Sequence, residues 1–289
     1  MMDSSELIKK VRKIEIRTRA LSQQIFSGQY HSAFKGMGMA FSEVRQYHYG
    51  DDVRFIDWNV TARFNQPYIK IFEEERELTV MLLIDVSGST LFGTRQMMKA
   101  DLITELAAVL SFSAIYNNDK VGVIFFSNRV EKFIPPNKGR SHILRIIREL
   151  VGYEPACTQT NTAEALRYLT NVIKKKCTAF VISDFLNTEF EQALRIASNK
   201  HDLVALNVMD KGEEKIPNMG MLEVLDPETG KYFLTDTANK RVRDAYRQWW
   251  HDQQKKNHEL FKKCGVDTVD LFTDQDYVKE LTKLFQKRS

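Results

Sequence analysis

The sequence predicts an α/β fold, a doubly wound and mostly parallel sheet flanked by helices. It also predicts a helical and β-rich N-terminal extension and a β-hairpin insertion. Three observations carry this reading. Short continuous apolar runs, such as Val80-Met81-Leu82-Leu83-Ile84 and Ala179-Phe180-Val181-Ile182, lack the alternation of a half-exposed strand and fit strands buried on both faces. Segments with helical periodicity separate these runs, which is the signature of a parallel sheet covered by helices. Two of the runs end in a carboxylate, Asp85 and Asp184, at the strand ends where open α/β sheets bind ligands.

Residues 3–27 place Leu7, Val11, Ile14, Leu21 and Ile25 at helical spacing and predict one amphipathic helix with a basic outer face. Residues 28–77 are rich in aromatics, Gly and charge, and predict irregular structure with short strands, closing on the acidic run Glu73 to Glu77. From Thr79 the pattern becomes that of the sheet. The expected order is strand 79–84, helix 95–116, strand 121–127 and an edge strand 128–134. Helices 141–151 and 162–175, strand 179–183, helix 190–199 and strand 203–208 follow. Residues 216–237 interrupt the alternation with Glu223-Val224-Leu225, a turn at Asp226-Pro227-Glu228-Thr229-Gly230, and Tyr232-Phe233-Leu234, a hairpin signal. A helix at 239–263, a strand at 266–271 and a helix at 276–285 close the chain. The expected division is 1–77 as extension and 78–289 as the α/β domain.

Composition narrows the function classes. The 289 residues are 43% hydrophobic and 28% charged, which is ordinary for a globular chain and argues against global disorder. Forty-two Lys and Arg against 38 Asp and Glu give a net charge of +4, too small an excess to point to nucleic acid. Cys157, Cys177 and Cys264 are odd in number and far apart, so reduced thiols are expected rather than disulfides or a thiolate zinc site. With no signal-peptide core and no apolar run of membrane-spanning length, a cytoplasmic protein is expected, peripheral membrane association remaining open.

The chemistry is expected where Asp85-Val86-Ser87-Gly88-Ser89 and Ser183-Asp184 end their strands, with the loop Cys157 to Thr162 between them in the chain. Two carboxylates and several hydroxyls are hard oxygen ligands, suited to Mg²⁺ or Mn²⁺ rather than Zn²⁺. Ser hydroxyls coordinate weakly and add no charge, so such a site leaves positions open to an acidic ligand from a partner.

Asp85-x-Ser87-x-Ser89 after a buried strand, Thr160 before a helix and Asp184 after a later strand resemble the metal-ion-dependent adhesion site of von Willebrand factor A domains. A second stretch, Arg45-Gln46-Tyr47-His48-Tyr49-Gly50-Asp51-Asp52-Val53-Arg54-Phe55-Ile56-Asp57-Trp58 with Ala62-Arg63, is similar to the signature of bacterial DUF58 proteins. In that family the signature precedes a von Willebrand A-like domain. The resemblance implies Mg²⁺ or Mn²⁺ at Asp85, Ser87, Ser89, Thr160 and Asp184, a protein partner offering an acidic residue, and a MoxR-type AAA+ ATPase as that partner. The charges Arg45, Asp51, Asp52, Arg54, Asp57 and Arg63 are expected to form a buried ion-pair network docking residues 28–77 onto the sheet, or else a partner-docking surface.

Asp85 to Leu91 superficially resembles the haloacid dehalogenase nucleophile loop, but Ser87 stands where the second acid belongs. No GxxxxGK[ST] loop is present. A metal-dependent phosphoester hydrolase and a metal-free scaffold whose basic helix binds nucleic acid or anionic membrane are the alternatives. That helix, 239–263, carries eight Lys or Arg and three Asp or Glu, and a solvated face is the expectation for it. His251 and His258 lie two turns apart, too far to share one small ion unaided, and are expected at the surface. Tyr246, Trp249 and Trp250 are expected to pack in the core.

Overall fold

The structure is a computed structural model and describes residues 11–19, 21, 40–73, 78–94, 97–186, 189–226 and 230–288. Leu7, Ile25, the acidic residues 74–77 and the hairpin turn 227–229 lie outside the described residues. The chain divides into two compact units, Phe34–Leu78 and the remainder.

In the larger unit six strands form one sheet: β3 (Thr79–Asp85), β4 (Lys120–Phe126), β5 (Val130–Asn137), β6 (Thr178–Ser183), β7 (Asp202–Met209) and β10 (Asp267–Phe272). Their order is β10-β7-β6-β3-β4-β5. All neighbours are parallel except the edge strand β5, which pairs antiparallel with β4 as its alternating sequence predicts. The chain winds outward from β3 to β4 and β5, then crosses back to β6, β7 and β10. The switch point therefore lies between β3 and β6, the place where doubly wound sheets form a crevice.

Both faces of the sheet are covered, which is why its strands read as unbroken apolar runs. Met81, Leu83, Ala179, Val181 and Ala205 face a core shared with Leu166 and Leu169 of one helix (Thr162–Val172), Leu194 of a second (Glu191–Lys200) and Phe261 of a third (Lys240–Lys263). On the opposite face Phe180 meets Phe285 of the closing helix (Tyr277–Arg288) edge-on, centroids 6.5 Å apart.

The helix Lys99–Tyr116 is buried on nearly every side, from Leu102 through Ala114. The sheet covers one side, and two other elements reach it through Glu105. Arg17, in the N-terminal helical turns at 11–19, pairs with Glu105 at 2.6 Å, and Tyr277 donates its hydroxyl to the same carboxylate at 3.0 Å. Val11, Ile14 and Thr18 are buried at the expected helical spacing. The helix also begins at Lys99 rather than near residue 95; a 3-10 turn at Gly88–Leu91 follows β3, and the Lys99 N–H donates to the Phe92 carbonyl at 2.9 Å.

The expected hairpin is present as β8 (Met221–Leu225) and β9 (Tyr232–Asp236), antiparallel, with Met221, Leu225, Tyr232 and Leu234 exposed. Trp250 is buried as expected, but Trp249 lies at the surface beside Tyr246, ring centroids 5.7 Å apart. The reason is helical: adjacent residues point about 100° apart, and only one can face the sheet.

The smaller unit holds β1 (Ala40–Gln46) paired antiparallel with β2 (Tyr68–Glu73), a 3-10 turn at Val53–Phe55 and a short helix at Trp58–Phe64. Among the described residues no helix is long and apolar enough to cross a membrane.

Candidate functional site

The two carboxylates predicted from sequence end β3 and β6, the two strands flanking the switch point. Asp85 is 1% exposed, and Ser87, Ser89, Thr160 and Asp184 are also buried. The turn after β3 is locally determined. Val86 continues the sheet by donating its N–H to the Phe126 carbonyl at 2.9 Å. The Asp85 carboxylate then accepts the Ser87 N–H at 2.9 Å, which folds the chain back so that the Ser87 and Ser89 hydroxyls lie 3.1 Å apart. A tight 3-10 turn follows, with Thr90 donating both its N–H and its hydroxyl to the Ser87 carbonyl.

Two backbone bonds bring the Thr160 loop to this turn. Gly88 N–H donates to the Thr158 carbonyl at 2.8 Å, and Asn161 N–H donates to the Ser127 carbonyl at the end of β4, also at 2.8 Å. The Asn161 side chain accepts the Glu164 N–H and caps the helix that follows.

At the β6 end, Ser183 donates its hydroxyl to Asp85 at 2.6 Å and accepts the Phe185 N–H at 3.1 Å. Phe185 adopts a left-handed backbone (φ 49°), which costs a non-glycine residue about 1–2 kcal/mol. Its ring is held between Phe190 and Phe261, and its carbonyl accepts the Asn257 amide at 2.8 Å. These contacts offset the strain, and the adjacent Asp184 accepts the Leu186 N–H on Oδ1 at 3.4 Å.

The sequence reading missed two charged residues here. Lys99, 0% exposed, donates its ammonium to Asp184 Oδ2 at 2.9 Å and to Glu213 Oε1 at 2.5 Å. Burial works against the Lys99 charge, but the two carboxylates outweigh it and hold the ammonium above its ordinary pKa. Burial likewise works against Asp184 ionisation, and Lys99 with its hydrogen bonds overcomes it, leaving Asp184 below the usual carboxylate range. Asp85 has no such cation. Burial, then the Asp184 charge, push it up to about 7. Asp184 and Glu213 therefore share one ammonium, while Asp85 has no cation beside it.

That donor set fits a hard divalent cation: two carboxylates and three hydroxyls, all oxygen, all buried. Among the described residues no group of three or more His, Cys, Asp or Glu gathers as metal ligands. The set is consistent with this, since three of its five members are hydroxyls.

The signature charges belong to the smaller unit, where they form separate short-range pairs. Arg45 grips Asp51 with two bonds of 2.8 Å, and Arg54 pairs with Asp52 at 2.6 Å, in both cases within six residues along the chain. Asp57 caps the helix at Trp58–Phe64 and lies 3.5 Å from Lys70. Arg63 is exposed, as are Arg54, Trp58 and Tyr49. The pairs are short-range and at least partly solvent-exposed because each closes a turn of its own segment. Arg54 holds Asp52 at a pKa of about 2, and Arg45 holds Asp51 below the usual range.

His251 and His258 are half-exposed and serve different partners, Glu214 and Asp270, so they do not share a site.

The fold is that of a doubly wound α/β protein, with an antiparallel edge strand and an Asp-x-Ser-x-Ser turn after the first sheet strand. The chain belongs to the DUF58 family, described as proteins of unknown function, whose family model matches residues 43–256. An uncharacterized protein of Mycobacterium tuberculosis is 27% identical over 292 residues, spanning 99% of this chain and 91% of that one. Among solved structures, the chain is similar to the conserved hypothetical protein BatB from Bacteroides thetaiotaomicron (18% identity, TM-score 0.48, 73% of this chain and 98% of that one). It is also similar to the SpRpn10 VWA domain (9% identity, TM-score 0.39, 73% of this chain and 95% of that one).

Proposed function

We propose that this chain is a non-catalytic protein-interaction module that engages an acidic side chain of a partner through Mg²⁺ or Mn²⁺ at the β3/β6 switch point. One observation carries the reading: Asp85, Ser87, Ser89 and Asp184 are buried at the carboxyl ends of the two strands flanking the switch point, and the Thr160 loop is bonded to the same turn. Asp85 and Asp184 would supply the charge, and the Ser87, Ser89 and Thr160 hydroxyls neutral oxygens. Bound there, the ion supplies an open Lewis-acidic position that an external carboxylate completes. The Ser183 hydroxyl orients Asp85, and the Leu186 N–H orients Asp184. The partner we propose is a MoxR-type AAA+ ATPase, with this protein as its adaptor, on the strength of the family resemblance.

Calorimetric titration with Mg²⁺ and Mn²⁺ tests the site, comparing wild type with Asp85→Ala and checking both folds by circular dichroism. Binding heat in wild type that disappears in Asp85→Ala is expected. Pull-downs from the native cell with Mg²⁺ and with EDTA test the partner. Identical retained proteins under both conditions would rule out metal-dependent adhesion.

A further inference from the structure

The least expected residue of the crevice is Lys99. It is the first residue of an 18-residue helix, the end at which the helix dipole favours anions and opposes cations. Its preceding residue, Met98, offers no side-chain cap. An ammonium placed here is also fully removed from water, an arrangement proteins tolerate only when the charge is paired and hydrogen-bonded. Neither helix stability nor packing accounts for a lysine at this position.

Its partners are themselves held in place. Glu213 gives one oxygen to Lys99 and accepts the Asp210 N–H on the other at 3.0 Å, completing a reciprocal cap of the 3-10 turn at Lys211–Glu214. Asp210 in turn accepts the Gly212 N–H at 2.7 Å and the Thr273 hydroxyl at 2.5 Å, and it also receives the Thr94 hydroxyl. The ammonium is thus fixed on one side by a rigid carboxylate and directed on the other at Asp184 Oδ2.

We propose that Lys99 is a tethered counter-cation of the crevice. It occupies part of the charge of Asp184 that a divalent ion would otherwise use, and so keeps the intrinsic metal affinity low and leaves it to be raised by an anionic ligand from outside. The inference rests on the metal-site reading above and adds the residue that tunes it. Lys99 is a positioning residue here: it acts on the site through Asp184.

The test is calorimetric Mg²⁺ titration at pH 7 of wild type, Glu213→Gln, Lys99→Met and the double variant Lys99→Met/Glu213→Gln, with folding checked by circular dichroism. The double variant removes one cation together with one anion, so it preserves the charge balance and guards against a Lys99→Met protein that does not fold. Freed of its ammonium, Asp184 should bind Mg²⁺ at least about tenfold more tightly in the double variant than in wild type. Glu213→Gln should move the other way, since Lys99 then rests on Asp184 alone. A lysine with a merely structural role would not shift the two variants in opposite directions. Affinity in the double variant within about twofold of wild type would overturn the inference while leaving the metal site intact. Binding in the double variant alone would sustain the inference and overturn the expectation that the wild type binds Mg²⁺ without an anionic ligand. Binding in neither would overturn both.

Discussion

His201 stands at the opposite end of the sheet from the crevice, just before β7, and its titration should govern acid stability. It is 2% exposed, with Nδ1 3.2 Å from the buried thiol of Cys177. Burial, followed by the Lys200 charge, pulls its pKa down from 6.5 to about 4. Burial also pushes the Cys177 thiol up to about 12, so the contact joins two neutral groups at pH 7. A base whose folded pKa is depressed takes up its proton on unfolding. Stability from the neutral imidazole is therefore complete above pH 6.5 and declines as the pH falls toward 4. From the two pKa values the loss is about 2 kcal/mol at pH 5, approaching about 3 kcal/mol below pH 4. Urea unfolding of wild type and His201→Asn at pH 7.5, 6 and 5 isolates this contribution, because other titrating groups are common to both. Wild type should lose about 2 kcal/mol relative to the variant between pH 7.5 and 5. Parallel pH profiles would refute the assignment of a neutral buried imidazole.

Three further substitutions probe the fold that positions the crevice. Leu106→Ala, at a fully buried position of the central helix, should lower unfolding free energy by about 2–5 kcal/mol in urea titration. Gly122→Ala should destabilise by about 1–3 kcal/mol in the same assay, since a Cβ there would stand 2.9 Å from the Pro136 backbone nitrogen and 2.7 Å from Met81 Sδ. Asn161→Ala removes the cap of the helix after the Thr160 loop and should cost about 1 kcal/mol, read as a lower thermal midpoint.

The parts legible in the sequence are those fixed by local pattern. A parallel strand covered on both faces must be apolar throughout, so β3, β6 and β7 announce themselves within a residue or two of their ends. Asp85, Ser87 and Ser89 are legible because the Asp85 carboxylate bonds the backbone two residues on, a contact encoded by neighbours in the chain. The burial of the helix Lys99–Tyr116 is not legible. It depends on Arg17 and Tyr277 meeting at Glu105 from 88 residues before and 172 residues after. The pairing of the signature charges is not legible from their number: six charged residues within twenty suggest one network, but Arg45–Asp51 and Arg54–Asp52 each close a turn of their own segment.

Lys99 and Glu213 show most clearly why a site can be half-visible. They contact each other across 114 residues, and Lys99 reaches Asp184 across 85. Taken locally, Lys99 breaks the rule that cations belong at helix C-termini, and Glu213 is an ordinary acid in a polar turn. Only the sheet order, which sets β6 beside β3 and brings the turn after β7 alongside, turns a local violation into a matched ion pair. Residues that violate local rules and are compensated at long range concentrate where function imposes them. The protein's net charge of +4 is silent about this, because Lys99 is matched locally by Asp184 and Glu213, a balance that a count over the whole chain does not resolve.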